Sequence, residues 1–138
     1  MKTIFEIKNK KIEIDVDATR EFYDAQNKIP QDCECGDCLY FYEEFINKPY
    51  SIFILLRKFG VDLGKNLRRE PTGVWCVRES NGKIVYIFQV YKIIGKFLIS
   101  EEKDVQYSMV EDGFNMNIKF IQSDSNAIDI ELNIEEEK

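Results

Sequence analysis

Apolar and polar residues alternate along several segments of the chain, and this two-residue period predicts half-buried strands. The alternation is strict over residues 128–134 and clear over 11–16. A short apolar segment at 3–7 precedes the second of these and is predicted to be a further strand. Five further strands are predicted in the second half of the chain, over residues 74–79, 83–91, 96–99, 105–110 and 115–122.

Turn residues separate the predicted strands, and Asn9 and Lys10 are predicted to form the turn between the first two. Asn81-Gly82 and Asp112-Gly113 predict tight hairpin turns, because both residues of each pair tolerate the positive φ that such turns need. Gly95 predicts a bend or a β-bulge before the strand that follows it. The hairpins imply a sheet with antiparallel neighbours.

Three helices are predicted between the N-terminal strands and the remainder of the sheet. Asp17 can cap a helix over residues 18–27, because its carboxylate can accept hydrogen bonds from free amides of the first turn. A second helix is predicted over 38–47 with Asp37 as its cap. A third is predicted over 49–60, since it has a proline in its first turn and a glycine at its end.

The segregation of strands and helices along the sequence predicts an α+β fold, with an antiparallel sheet and two or three helices packed on one side. A length of 138 residues fits a single domain over 1–138, ending in a charged stretch at 135–138. One hydrophobic core is expected, uniting Ile12, Ile14, Phe45, Leu55, Leu56, Phe88, Ile130 and Leu132.

The charges of the chain are unevenly distributed. The net charge is −6, residues 61–100 carry 7 basic and 3 acidic side chains, and residues 101–138 carry 3 and 11. The acidic last third argues against nucleic acid as the main partner, because phosphate binding needs a basic face. The acidic balance favours another protein as the partner.

The basic middle of the chain contains one candidate anion site. Lys65, Arg68 and Arg69 follow Gly64 closely and could hold a phosphate. The spacing of a P-loop is absent, so a solvated, charged loop is the preferred interpretation.

No segment of the sequence predicts secretion or insertion into a membrane. Glu6 and Lys8 interrupt the first apolar run, unlike in a signal peptide. The longest apolar run, residues 52–56, is far shorter than the roughly 20 residues of a membrane span. The protein is therefore expected in the cytoplasm, where its four cysteines would be reduced.

The sequence contains no histidine. This excludes a Ser-His-Asp triad, a Cys-His pair and an HExxH metal site, and it removes the commonest general acid or base. Any catalysis would have to use carboxylates, lysine, tyrosine or cysteine. The preferred interpretation is therefore that the protein has no enzymatic activity.

Three cysteines, Cys33, Cys35 and Cys38, form the pattern C-x-C-x-x-C, and Cys76 lies in a predicted strand. Thiolates at this spacing can converge on one soft cation, and tetrahedral zinc takes four nitrogen or sulfur ligands. Cys76 could supply the fourth ligand, and so could a carboxylate within the loop. Two other readings stay open: incidental reduced thiols, with Cys38 an ordinary core residue, and a redox or disulfide role.

Acidic residues interleave with the three thiols. Asp32, Glu34 and Asp37 should raise the thiol pKa values and keep the sulfurs protonated in the absence of a cation. Only the N-terminus of the helix that follows should act the other way, on Cys38. These surroundings argue against a nucleophilic cysteine and are better suited to a bound cation.

The stretch from Thr19 to Gly95 resembles an uncharacterised family of small bacterial proteins with a C-x-C-x-x-C motif and a G-[IV]-D-x-x-K segment. The residues that carry the resemblance are Thr19, Phe22-Tyr23, the C-x-C-G-D-C-L-Y-F-Y run at 33–42, L-L-R-K-F-G-V-D at 55–62, Lys65, Tyr91 and Gly95. The resemblance implies no established activity. It favours a three-cysteine site with an acidic or external fourth ligand, or a site shared between subunits, over one completed by Cys76.

The sequence leads to two hypotheses about the function. The first is a non-catalytic accessory protein that binds another protein, for example an immunity-type partner that neutralises a basic toxin. The alternative is a thiol-based protein that binds zinc or acts in redox chemistry through Cys33, Cys35 and Cys38. Zinc is the one cofactor that the sequence suggests.

Overall fold

A computed structural model of the protein describes residues 2–67 and 75–137. The fold is α+β, as the sequence predicts. The strands are β1 Lys2–Ile7, β2 Lys10–Asp15, β3 Asn27–Lys28, β4 Lys65–Asn66, β5 Trp75–Arg78, β6 Ile84–Phe97, β7 Asp104–Glu111, β8 Phe114–Asp124 and β9 Ala127–Glu136. The helices are α1 Val16–Asp24, α2 Ile29–Asp32, α3 Gly36–Glu43 and α4 Ser51–Lys58, with a 3₁₀ turn at Phe45–Asn47.

Seven of the strands form one antiparallel sheet in the order β1-β2-β6-β9-β8-β7, with β5 also paired to β6. The long strand β6 holds the sheet together. Its residues 86–94 pair with β9 along one edge, while β5 pairs with its first residues and β2 with residues 95–97. Strands β3 and β4 form a separate two-stranded ribbon.

The apolar side chains of one sheet face pack under the helices into a single hydrophobic cluster. The alternation predicted over 128–134 is confirmed, because Ile128, Ile130, Leu132 and Ile134 are all fully buried. Phe59, at the end of α4, joins the N-terminal hairpin to the C-terminal strands through ring contacts with other aromatic side chains.

Two residues of the predicted core are not fully buried. Leu55 is partly buried and packs against the cluster. Phe88 is also partly buried, but its neighbours Ile87 and Gln89 are the buried residues of this part of β6. Because successive strand residues point to opposite faces, Phe88 belongs to the face that carries no helices, and the prediction for it was wrong.

The predicted hairpin turns are confirmed. Asp112 and Gly113 both have positive φ, 53° and 80°, whereas in the other turn Gly82 has a φ of 86° and Asn81 does not have a positive φ. The N-terminal hairpin turns at Lys8 and Asn9, one residue earlier than predicted, and both residues adopt positive φ. The full pairing of β1 with β2 explains this position, because it needs a two-residue loop.

Gly95 does not bend or bulge the chain, which corrects the prediction for it. It lies within the continuous strand β6 and pairs with Ile14 of β2. A Cβ atom at this position would collide with the carbonyl oxygen of Glu13. The glycine is therefore required for the close approach of two backbones.

The helix boundaries differ from the predictions at their N-termini. Asp15, rather than Asp17, caps α1 by accepting a hydrogen bond from the Ala18 amide at 3.0 Å. Helix α3 begins at Gly36 and is capped by Cys35 rather than by Asp37. Among the described residues, no helix has both the length and the apolar character needed to cross a membrane.

Candidate metal centre

The three clustered cysteines lie where the short helix α2 meets α3. Cys33 is the residue that ends α2, Cys35 is the N-cap of α3, and Cys38 lies in the first turn of α3. Their Sγ atoms all lie within 4.8 Å of one another, and those of Cys33 and Cys35 are 3.3 Å apart. The sequence prediction of a compact cluster is confirmed, and the three thiols are close enough to hold one metal ion.

The cluster extends from the core to the surface. Cys38 is buried with 1% of its surface exposed, Cys33 is half-buried, and Cys35 is exposed. Cys38 belongs to the hydrophobic cluster, and Cys33 packs against it. One side of the site is therefore fixed by the core, while the other is accessible to solvent.

The backbone of α3 stabilises the thiolate of Cys35. The Cys35 Sγ accepts a hydrogen bond from the amide of Cys38 at 3.4 Å. This bond lowers the pKa of Cys35 below its ordinary value, against the opposing effect of burial. The expectation that the acidic neighbours raise this pKa was wrong, because hydrogen bonds from the helix-start amides of Cys38 and Asp37 and from the Cys33 thiol lower it.

The glycine at position 36 predicts a sharp turn of the chain before the helix, and this prediction was wrong. Among the described residues, positive φ occurs at Gly60, Gly82 and Gly113, whereas Gly36 is the first residue of α3 and has open space around its Cα. The change of direction comes from Cys35, whose extended backbone (φ −65°, ψ 161°) precedes the helix.

The two partly buried carboxylates beside the cysteines have protein partners. Asp32 accepts hydrogen bonds from the side-chain amides of Asn27 and Asn66, at 2.9 and 2.8 Å, and so fixes the end of α2 to the β3–β4 ribbon. Asp37 pairs with the guanidinium of Arg78 at 2.5 Å. Both oxygens of Asp32 are engaged by these bonds, whereas Asp37 contacts Arg78 through Oδ1 alone.

Cys76 lies beside the cluster without being part of it. It pairs with Ile87 in the sheet register, so its side chain points to the helix-covered face, where it packs against the core. Burial raises the pKa of the Cys76 thiol to about 12, and the charges of Asp37 and Cys35 add to this effect. All four cysteines are free thiols.

Sequence reasoning missed Arg78, the residue that ties the edge strand β5 to the cysteine site. Its guanidinium bonds both Asp37 and the carbonyl oxygen of Gly82. A lone arginine in a predicted strand carries no signal of this pairing, because its partner is distant in sequence.

The basic candidate site is only partly within the described residues. The ammonium of Lys65 donates to the carbonyl oxygen of Gln26 at 3.1 Å and so joins β4 to the end of α1. Arg68 and Arg69 lie outside the described residues.

Comparison of the chain with known proteins found no matching family model, no matching curated protein and no matching solved structure. The family that the sequence resembles therefore stays an expectation. The cysteine cluster is the feature of this chain with a specific chemistry.

Proposed function

We propose that the protein binds zinc, and that Cys33, Cys35 and Cys38 hold one ion at the junction of α2 and α3. The observation that carries this proposal is the convergence of three Sγ atoms within 4.8 Å. Zinc accepts thiolate ligands at about 2.3 Å in a tetrahedral arrangement. The lowered pKa of Cys35 supports the same conclusion, because the thiolate is the form that binds metal.

The ion would have a structural role. Helices α2 and α3 have four and eight residues, and helices of this length are marginal without tertiary support. A metal bound to the end of one and the start of the other would fix both. The absence of histidine from the sequence leaves the site without the usual proton-transferring partner of a catalytic zinc.

The protein-binding role expected from the acidic sequence is compatible with a structural zinc site, since such a site performs no reaction of its own. That role stays a prediction. A structural ion would stabilise the surface that a partner recognises, so loss of zinc would weaken partner binding indirectly.

Native mass spectrometry of protein purified under reducing conditions without chelators tests the proposal. One zinc ion per chain is expected, and a Cys33→Ser, Cys35→Ser double variant should lose it. Glu34→Gln is the matched control, because it changes an exposed residue between the two ligands and should retain the metal. A wild-type protein that binds neither added zinc nor added cobalt would contradict the proposal, and a disulfide mass in its place would favour the redox alternative.

A further inference from the structure

Strand β5 is held against the start of α3. The Arg78 guanidinium pairs with Asp37, which lies between the ligands Cys35 and Cys38. Cys76 is two residues before Arg78, so its side chain leaves β5 on the same face. The ion pair therefore positions this face of β5 beside the proposed metal site.

Cys76 and the cluster share one environment. Cys38 is a member of the hydrophobic cluster, and both Cys33 and Cys76 are partly buried residues that pack against it. The charge of Cys35 acts on the Cys76 thiol, which places the two sulfurs in electrostatic range of each other. Among the described residues, no hydrogen bond holds the Cys76 thiol.

A structural zinc site needs a fourth ligand. Asp32 is bound by two asparagine amides and Asp37 by Arg78. Glu34 is exposed on the solvent side of the loop. Cys76 is the remaining cysteine of the chain, it is half-buried against the hydrophobic cluster, and thiolate sulfur is the ligand type that structural zinc sites favour over a carboxylate.

We propose that Cys76 is the fourth ligand, so that the ion links the α2–α3 junction to the edge strand β5 in a closed Cys₄ site. This inference rests on the proposed zinc-binding function. It places the metal between two parts of the protein that are distant in sequence. The zinc would therefore connect the edge of the sheet to the helices, and it would stabilise β5 as well as the loop between α2 and α3.

Closing the site requires a movement of β5 toward the three clustered cysteines. The Cys76 Sγ lies outside the group of mutually close sulfurs. Strand β5 is short, it pairs with β6 alone among the described strands, and its register shifts between Val77 and Arg78. A strand at the edge of a sheet is hydrogen-bonded to a neighbour on one side alone, so fewer backbone bonds hold it in place than hold an interior strand. Each thiol that binds zinc releases its proton to solvent, so a Cys₄ site replaces four S–H bonds by four Zn–S bonds.

X-ray absorption spectroscopy of the wild-type zinc protein tests the inference directly. Four sulfur neighbours at about 2.3 Å are expected. Three sulfurs with one oxygen or nitrogen would overturn it while leaving the three-cysteine site intact. A wild-type protein without bound zinc would refute the zinc-binding function itself, so the two failures are distinguishable.

Cobalt substitution with two matched variants provides the second test. Cys76→Ser should weaken the thiolate-to-cobalt absorption and lower the metal affinity by more than roughly 10–100-fold, because loss of a direct ligand should exceed the effect of losing an outer contact. Glu34→Gln, which changes an exposed residue outside both the cysteines and the Asp37–Arg78 ion pair, should leave the spectrum unchanged. A spectrum and an affinity that Cys76→Ser leaves unchanged would overturn the inference.

Discussion

The hydroxyl of Tyr23 bonds both backbone groups of Lys92, donating to its carbonyl oxygen and accepting from its amide, each at 2.8 Å. Thr19 adds a third bond, in which its Oγ1 accepts from the amide of Ile94 at 3.0 Å. This part of β6 lies between the pairings with β5 and β2. Side chains of α1 therefore supply the hydrogen-bond partners of backbone groups along a stretch of β6 that pairs with no described strand on this edge.

Tyr23→Phe should destabilise the protein by about 1–3 kcal/mol, because it leaves a backbone donor and acceptor of a buried strand without a partner. Denaturant unfolding followed by circular dichroism measures the change. Tyr42→Phe is the control, since no hydrogen bond of its hydroxyl occurs among the described residues, and it should change the unfolding free energy far less. Equal effects of the two variants would contradict the bridging role of Tyr23.

Gly95→Ala should destabilise the protein by about 1–3 kcal/mol or more, because the added methyl group collides with the Glu13 carbonyl and separates β2 from β6. Gly36→Ala is the matched control. Gly36 starts a helix and has open space around it, so alanine there should be neutral or stabilise slightly. Thermal unfolding of both variants checks the prediction, and a Gly95→Ala protein as stable as the wild type would refute it.

The four thiols of the metal-free protein should differ in reactivity. Cys35 is exposed and has a lowered pKa, so its thiolate forms at a lower pH than that of a free thiol. Cys76 is half-buried with a raised pKa. Alkylation with iodoacetamide between about pH 6 and pH 9, followed by peptide mass spectrometry, should modify Cys35 well before Cys76.

Two comparisons make the reactivity experiment decisive. Protein unfolded in urea should lose the difference, because both thiols then have ordinary pKa values. Folded protein in which Cys76 reacts as fast as Cys35 would contradict the burial of Cys76 beneath the helices.

Stability of the metal-free protein should fall at alkaline pH through Cys76. Its pKa is about 12 in the folded protein, against about 8.5 for a thiol in an unfolded chain. The folded state therefore favours the protonated thiol, and this contribution is complete below about pH 8.5 and is lost as the pH rises toward 12.

Cys76→Ala isolates this contribution from the tyrosines that titrate in the same range. The free energy of unfolding of the wild type should fall more steeply than that of the variant between about pH 8 and pH 10. Denaturant titrations at these two pH values measure both slopes. Parallel slopes would show that Cys76 titrates alike in the folded and unfolded states.

Local sequence patterns predicted the strands and helices of this fold, because interactions between residues close in sequence determine these elements. The alternation at 128–134 identified β9, since two-residue periodicity directly reflects the faces of a strand. The face of Phe88 was not predictable in this way, because residues 84–88 are all apolar and lack an alternating polar position. The register with β9, which sets that face, depends on pairing with a segment far along the chain.

The cysteine cluster was predictable for a similar reason. Three residues within a span of six cannot move far apart, so the spacing alone brought Cys33, Cys35 and Cys38 together. The pairing of Asp37 with Arg78 and the lowered pKa of Cys35 depend on contacts and backbone directions that the spacing does not contain. They explain why the predicted cap and the predicted pKa shift were wrong.

The pairing of Ile12 with Phe97 has a consequence for the order of folding. The N-terminal hairpin is made before its sheet neighbour β6, and an isolated two-stranded hairpin is at best marginally stable in water. The hairpin of β7 and β8 joins strands that are adjacent in sequence and can form early, whereas β2 and β6 are far apart in sequence, so that their pairing is slow. The N-terminal strands are therefore expected to be the last part of the sheet to become protected from hydrogen exchange during refolding.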